Sequence, residues 1–427
     1  VYRLTFGALP YVTGVWPLSV KANAESEVKL IGHHLPMTSV KVKAGASGEV
    51  AVPAGAIRSR AALSVRVSDL PQATESQPND SVQTAMPLSV PAEVHGQFFS
   101  PEATGTEEVD HFAFMARKGE RWMIETLADL AGSPADTRID ILNEKGEAVP
   151  RVKLQAVRDS AVTFRSVDAD NPDIRLVNWE EMELNEFVYF QGDVARIFRM
   201  PRGPDAGALH YAIGNKRRAY FDTTATNHAL DDPAYIVQPV ADGAKLVPNG
   251  LPVFTLNYGN DDAGDRSIGH DSRLTFTAPA DGRYIVRVSD SRGWSGERYV
   301  YRLSVRKPVP DFAVALEGSD QTIGAGGSMG FSLRATRRDD FDGPITVKVE
   351  GVPQGYFVSS PVVIQEGHVL ASGSIFAAAD APPMADWSKV IVTASAMIEG
   401  KPVTRSVNSL GKIKLGPAPK FVAFLEA

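Results

Sequence analysis

Short runs of alternating apolar and polar residues, separated by glycine, proline and aspartate, recur along the chain. In residues 284–288 the even positions are apolar and Arg287 interrupts the odd ones, which predicts a strand with one buried face. Strands are also predicted at 274–276 and 299–305, and the proline and Asp-Gly pair within 278–282 are typical of a tight hairpin. Since two or three strands with one apolar face are not stable alone, the pattern predicts a second covering layer.

The first 70 residues predict a small sandwich preceded by a fragment. Strand patterns at 28–32, 40–42 and 61–67 place a sandwich within 7–70. Residues 1–6 nearly repeat residues 300–305, so we expect them to be the closing strand of a preceding domain of the same type. A chance match of two strand-like hexamers is the alternative.

The C-terminal part, residues 307–427, predicts a separate sandwich of immunoglobulin or fibronectin type. Its strand patterns follow one another at the spacing that sandwiches show. They cover 331–335, 345–349, 362–365, 372–377, 390–396 and 404–407.

Residues 165–269 predict a β-rich unit with its own strands. The segments 182–188 and 194–198 are joined by Gln-Gly-Asp, a plausible hairpin turn, and a third strand at 209–213 turns back through Gly-Asn-Lys. Aromatic side chains in this unit are candidates for stacking on a ligand, with ordinary core packing as the alternative. The candidates are Trp179, Tyr189, Tyr211 and Tyr220.

Composition narrows the possible functions. The 36 glycines and 29 prolines in 427 residues favour many short strands over helices. The net charge of −7 with interspersed basic residues does not favour nucleic-acid binding. The absence of cysteine excludes disulfides, thiolate metal sites and cysteine nucleophiles. No apolar run reaches the roughly 20 residues that span a bilayer. Because the chain opens at Val1 without a signal pattern, we expect a processed or excised piece.

Two local motifs carry resemblances to known families. The Gly-His-His-Leu-Pro turn at 32–36 resembles the corner of immunoglobulin-like TIG domains. Residues 75–80, 94–98, 110–114 and 271–305 resemble, in order, the bacterial pre-peptidase C-terminal domain. That resemblance implies a jelly-roll-like sandwich over 71–306, interrupted by the insertion at 165–269. It also implies an exported protein, located in the periplasm, at the cell surface or outside the cell.

The same resemblance implies a calcium site. Calcium-binding members of the family place ligands in an E-x-E-x-N-D segment and in an acidic stretch before the next strand. The matching residues here are Glu75, Gln77, Asn79 and Asp80, followed by Glu107, Glu108 and Asp110. Gln77 replaces a second glutamate, and its amide can ligate calcium without adding charge. The alternative is a polar linker in which Asn79 and Asp80 cap a turn.

Two other motifs, one rich in oxygen ligands and one enzyme-like, match a metal or catalytic site less well. Asn260, Asp261, Asp262, Asp265 and Asp271 do not have the spacing of an EF-hand, which predicts a solvated loop. Gly-Gly-Ser-Met-Gly at 326–330 matches G-x-S-x-G, but a strand pattern follows it where a nucleophile elbow needs a helix.

Four glutamates in the insertion leave an enzyme hypothesis open. A glycosidase would need two carboxyl groups facing each other across a cleft, and the available residues are Glu180, Glu181, Glu183 and Glu186.

Together these patterns predict an all-β chain of tandem sandwiches without catalytic function. We expect an adhesion or substrate-targeting segment of a larger protein that contacts neighbouring domains and binds a polysaccharide or an extracellular protein. The alternatives are a rigid spacer of a surface assembly and a secreted hydrolase with its site in the insertion.

Overall fold

The computed structural model describes residues 6–99, 108–203, 205–241 and 243–420. Strands make up 49% of the residues and helices 1%, which confirms the all-β prediction. The chain divides into two compact units, Val1–Lys307 and Pro308–Ala427. Across the described residues, no helix has both the length and the apolar character needed to cross a membrane.

A small N-terminal sandwich opens the first unit. Its two sheets have the strand orders β4-β3-β1-β6 and β2-β7-β5, and Val12, Val28, Leu30 and Val65 lie in the core between them. The predicted strand at 1–6 lies outside the described residues apart from Phe6, which is exposed. The strands are β1 (Tyr11–Trp16), β2 (Ser19–Lys21), β3 (Glu25–His33), β4 (Ser39–Lys43), β5 (Gly48–Ala51), β6 (Arg58–Ser59) and β7 (Ser64–Ser68).

The chain then forms the first half of a central sandwich. A short 3-10 helix, Asp129–Ala131, connects two of its strands. The strands of this half are β8 (Gln72–Thr74), β9 (Met86–Pro87), β10 (Ala92–Gln97), β11 (Val109–Ala116), β12 (Arg121–Leu127) and β13 (Thr137–Asn143).

An insertion with its own seven-stranded sheet interrupts the central sandwich. The strand order is β15-β18-β17-β16-β21-β14-β22, and β19 and β20 form a separate hairpin. A second 3-10 helix spans Trp179–Glu181. The strands are β14 (Pro150–Ala161), β15 (Asp173–Ile174), β16 (Phe187–Phe190), β17 (Asp193–Arg199), β18 (Ala208–His210), β19 (Ala212–Ile213), β20 (Lys216–Arg217), β21 (Pro233–Val240) and β22 (Val253–Asn257).

Four strands complete the central sandwich: β23 (Gly259–Asn260), β24 (Arg273–Thr277), β25 (Gly282–Asp290) and β26 (Val300–Arg306). The two facing sheets have the orders β24-β12-β26-β10-β8 and β23-β13-β25-β11-β9. Aromatic side chains fill the core between them, with Phe112, Phe114, Phe276 and Tyr301 among the most buried.

The predicted hairpin at 278–282 is wrong. The strands β24 and β25 on either side of it belong to opposite sheets of the central sandwich. The connection is instead fixed to the turn at 117–120, where the Gly119 N–H donates to the Ala278 carbonyl at 2.8 Å and the Lys118 N–H donates to Asp281 Oδ1 at 2.7 Å. Both strands are largely buried, each within the core side of its own sheet.

The insertion begins and ends earlier than the predicted 165–269. Its sheet already includes β14, and β22 is its last strand. Gly259 and Asn260 pair with Asp140 and Ile139 in the central sandwich. The buried face of β14, which includes Leu154 and Ala156, packs on the insertion's own core, and this packing moves the boundary.

The predicted turns within the insertion are confirmed. Strands β16 and β17 form a hairpin in which Phe190 pairs with Asp193, and Gln191 and Gly192 have the positive φ values that a two-residue turn requires. Gly214 and Asn215 make the corresponding turn between β19 and β20.

A buried ion pair holds several loops of the insertion together. The guanidinium of Arg217 is fully buried and donates to Asp193 Oδ2 at 2.7 Å. It also donates to the carbonyls of Asp168, Asn171 and Thr226, while His228 Nε2 lies 3.2 Å from the same Asp193 oxygen. Several loops therefore converge on one charged pair.

The second unit is a C-terminal sandwich, and the six predicted strands are present. Its sheets have the orders β27-β29-β33-β31, β32-β30-β34-β35 and β28-β36. The strands are β27 (Asp311–Glu317), β28 (Thr322–Gly324), β29 (Ser328–Arg338), β30 (Ile345–Glu350), β31 (Tyr356–Val358), β32 (Val362–Ile364), β33 (Leu370–Ala377), β34 (Ile391–Ile398), β35 (Lys401–Val407) and β36 (Lys414–Gly416).

Replacing Arg217 tests how much its buried ion pair with Asp193 stabilises the insertion. We expect Arg217→Met to lower the free energy of unfolding by about 3–5 kcal/mol, because it leaves the Asp193 carboxylate buried without its cation. Urea denaturation measures the change, from the unfolding transition in which the insertion unfolds. Lys216→Met, at the exposed neighbouring position, is the control and should shift stability by less than about 0.5 kcal/mol. Equal stability of the two variants would contradict the assignment.

Candidate functional site

Two of the predicted calcium ligands, Glu75 and Asp110, lie near Tyr301, where the two sheets of the central sandwich meet close to β8. Glu75 directly follows β8, Asp110 is the second residue of β11, and Tyr301 lies in β26. Strands β11 and β26 belong to opposite sheets. Gly96, next to Tyr301 in the ladder, leaves the space that the phenol ring fills, since an added Cβ would overlap the ring.

Tyr301 links the two sheets at this position. Its hydroxyl donates to Asp110 Oδ2 at 2.6 Å, and both side chains are buried. The Gln97 N–H donates to Glu75 Oε1 at 3.0 Å. At this position three buried carboxylate oxygens have no hydrogen-bond partner among the described residues: Glu75 Oε2, Asp110 Oδ1 and Glu108 Oε1.

Burial and nearby acidic groups raise the pKa of these carboxyl groups. Burial, together with the nearby charges of Asp110 and Glu108, raises the pKa of Glu75 to about 9. Burial also raises the pKa of Asp110 to about 7, with the charges of Glu108 and Asp80 adding to the effect and the Tyr301 hydrogen bond opposing it. The pKa of Glu108 is raised by burial and by the charge of Asp80. The cluster is therefore short of positive charge.

The other predicted ligands occupy different positions. Asn79 is fully buried, and neither polar atom of its side chain has a partner among the described residues. Its carbonyl accepts the His111 N–H at 2.9 Å. Gln77 is exposed and its Oε1 accepts the Asn79 N–H at 3.3 Å, while Asp80 is exposed. Glu107 lies outside the described residues.

The composition of this cluster fits a calcium ion. Calcium prefers six to eight hard oxygen ligands, and the cluster offers unpartnered oxygens from Glu75, Glu108, Asp110 and Asn79. Among the described residues, however, no three side chains of the His, Cys, Asp and Glu types are already arranged as a metal site. Binding would therefore have to draw the carboxylates closer together.

The second oxygen-rich segment is organised by hydrogen bonds and ion pairs. Asp271 is fully buried, contrary to the predicted solvated loop. It accepts the N–H groups of Ala128, Asp129 and Leu130 at 2.8–3.2 Å, and burial raises its pKa to about 6. Asp262 pairs with Arg266, and Asp265 likewise pairs with an arginine. These carboxylates therefore already have partners.

The four aromatic candidates of the insertion are in packed positions. Tyr211 is buried, Tyr189 stacks on Phe254 with ring centroids 3.9 Å apart, and Tyr220 packs against the insertion's core. Trp179 is partly buried beneath the guanidinium of Arg175, 4.9 Å from its ring. A ligand that stacked on these rings would have to displace their present neighbours.

The enzyme-like motifs lie in ordinary surroundings. Gly326 has φ +73° in a turn, and β29 begins at Ser328 without a following helix. Glu180 and Glu181 lie in the short 3-10 helix, and Glu186 pairs with Arg158.

Sequence reasoning missed Tyr301 as a member of the acidic cluster. The strand 300–306 is buried along nearly its whole length, and a fully buried tyrosine usually needs a hydrogen-bond partner for its hydroxyl. That requirement was the available signal, but only the fold identifies Asp110 as the partner.

Comparison with known proteins assigns no family. No protein-family model matches the chain, and no curated protein matches it.

The raised pKa values predict a pH-dependent stability. Above about pH 4.5 the folded protein holds protons that the unfolded chain has released, on Asp110 up to about pH 7 and on Glu75 up to about pH 9. The free energy of unfolding therefore falls as pH rises through this window. His95 and His210, with folded pKa values of about 4, give the opposite slope only below about pH 6.5.

We expect the Tm in chelator to fall between about pH 7 and 9, and Glu75→Gln with Asp110→Asn to flatten this slope. Calorimetry measures the Tm across the pH series. Glu144→Gln, at an exposed acid outside the cluster, is the control and should keep the wild-type slope. A wild-type Tm that is flat or rises across the window would contradict the assignment.

Proposed function

We propose that the chain is a non-catalytic binding segment of a larger exported protein, with a central sandwich that calcium stabilises. One observation carries the calcium part of the proposal: buried carboxylate oxygens of Glu75, Glu108 and Asp110 have neither a hydrogen-bond partner nor a neutralising cation among the described residues. The resemblance of residues 75–80 and 271–305 to the bacterial pre-peptidase C-terminal domain supports the exported location and the binding role. The ligand is a polysaccharide or an extracellular protein.

Calcium in this position would act on the structure. Glu75 and Asn79 belong to the segment that enters the sandwich, while Asp110 lies in one sheet and Tyr301 in the other. An ion held by the carboxylates would replace their mutual repulsion with attraction to a shared cation. It would thereby fasten the entry segment to both sheets.

A rigid spacer is the second candidate function, because the N-terminal and central sandwiches share an interface. Leu127 and Val300 of the central sandwich belong to the core of the N-terminal one. Ser19 Oγ donates to Glu93 Oε2 at 2.7 Å, and Glu93 also pairs with Arg302 at 3.2 Å. A fixed interface of this kind suits a segment that sets a distance between other domains.

Calcium should raise the thermal stability of the protein. A ligand that binds only the folded state stabilises it according to its concentration and affinity. We expect a higher Tm in calcium than in chelator, and a larger difference at about pH 8 than at about pH 6 because the carboxylates are then more fully ionised. Differential scanning calorimetry measures both values.

Variants separate the site from general salt effects. Asp110→Asn and Glu75→Gln should abolish the calcium-dependent shift, while Glu144→Gln should preserve it. The calcium proposal fails if the wild-type Tm is the same with and without chelator, or if the two site variants respond like the wild type.

The binding role is tested with the whole chain on panels of polysaccharides and extracellular-matrix proteins. We expect saturable binding to at least one member and no hydrolysis of it. Binding to none, together with association with neighbouring domains of the same protein, would favour the spacer. Hydrolysis that Glu-to-Gln changes at 180, 181, 183 and 186 remove would favour the enzyme.

A further inference from the structure

A cleft of about 980 Å³ opens between the N-terminal and central sandwiches. One wall comes from β1 and residues 59–66 of the N-terminal sandwich. The other comes from residues 129–136 and from the loop that carries Trp294 and Arg298. The volume lies at the upper end of the range for ligand pockets, about 300–1,000 Å³, and the cleft is open, so an extended ligand fits it better than a small enclosed one.

Trp294 presents an aromatic surface in this cleft. The chain has five tryptophans, and the side chain of this one is 55% exposed. The guanidinium of Arg292 lies 4.4 Å from its ring centroid and covers one face. The remaining exposure leaves indole surface for a ligand, and exposed tryptophans of this kind are frequent centres of binding energy.

A buried carboxylate fixes the backbone at the tryptophan. Asp290 is 2% exposed and accepts the N–H groups of Asp136, Arg292 and Trp294 at 2.8–3.3 Å. Arg292 Nη2 also donates to the Pro134 carbonyl at 2.6 Å. Both parts of the central wall are therefore tied to one residue, and little ordering is left for a ligand to impose.

Asp271 fixes the adjoining part of the wall in the same way. Its carboxylate accepts three consecutive backbone N–H groups at residues 128–130. The exposed side chains of Asp129 and Leu130 extend from this segment and line the cleft. The wall thus combines an apolar side chain with a hydrogen-bond acceptor on a fixed backbone.

The charges in the cleft favour an anionic ligand. Arg60 and Arg298 are exposed, one on each wall, and neither takes part in an ion pair among the described residues. The other arginines are partnered: Arg66 with Glu49, and Arg292 with Asp290 and Asp136. Asp129 is the one unpaired acid that opposes them within the described lining.

We propose that this cleft binds an acidic polysaccharide, with a uronate ring stacked on Trp294 and its carboxylate held by Arg298 or Arg60. The apolar face of a pyranose ring matches an exposed indole. An arginine fork matches a carboxylate through two parallel hydrogen bonds, and Asp129 can accept hydrogen bonds from sugar hydroxyls. This inference rests on the proposed binding function and gives it a place and a ligand class.

The probes are trigalacturonate and its methyl ester, which has the same rings without the charges. Isothermal titration with the full chain in calcium measures both affinities. We expect the acid to bind more tightly than the ester, and its affinity to fall with added salt because charge pairing is screened.

Substitutions in the cleft supply the second half of the test. Trp294→Ala should lower the affinity for the acid by about tenfold or more, and Trp294→Phe should restore part of it. Arg298→Gln and Arg60→Gln together should remove the preference for the acid over the ester. Arg117→Gln, at an exposed arginine outside the cleft, is the matched control and should bind like the wild type.

The outcomes distinguish this inference from the proposed function. Equal affinity for acid and ester, or binding that Trp294→Ala leaves unchanged, overturns the assignment of the cleft even if the chain binds another panel member. Binding of a protein from the panel, without binding of trigalacturonate, likewise replaces the polysaccharide with a protein ligand. Absence of binding to every panel member overturns the proposed function as well.

Discussion

The first unit depends on the position of one strand, β26. It pairs with β10 on one side and β12 on the other, although about 200 residues separate Gln97 from Val300. Its side chains serve three places at once: Val300 lies in the core of the N-terminal sandwich, Tyr301 reaches Asp110, and Arg302 pairs with Glu93. Because this pairing is so distant in sequence, β26 reaches its place only after the chain has passed through the insertion. The core, the acidic cluster and the sandwich interface all depend on that late pairing.

Buried carboxylates have two different roles in this molecule. Asp271 and Asp290 accept several backbone N–H groups, so their burial is compensated and they hold loops in place. Glu75 and Asp110 lie close to other acids and retain unpartnered oxygens. Residue type does not separate the two cases. They differ in how many hydrogen-bond donors surround the carboxylate. The second case is the one in which a cation would substitute for missing partners.

The strand pattern predicted the fold class because a period of two is a local property that each segment carries by itself. Local turns such as Gln191 and Gly192 followed for the same reason. The pattern did not predict which sheet each strand joins, since β24 and β25 are neighbours in sequence yet lie in opposite layers. The acidic residues were named from the resemblance of their segments to a known family. Their contact with Tyr301, and the surfaces of the cleft around Trp294, arise from residues far apart in the chain that only tertiary packing brings together.

The paired strands at the entrance and exit of the insertion determine how separable it is. Pro150 pairs with Asn257 at one end of the insertion's sheet, and Ile139 pairs with Asn260 in the central sandwich just outside it. The chain therefore leaves the sandwich and returns to it through adjacent backbone positions, about 5 Å apart as in any antiparallel pair. For the sandwich, more than 100 residues thus occupy the place of a hairpin loop. A segment attached in this way leaves the register of the strands that enclose it uninterrupted.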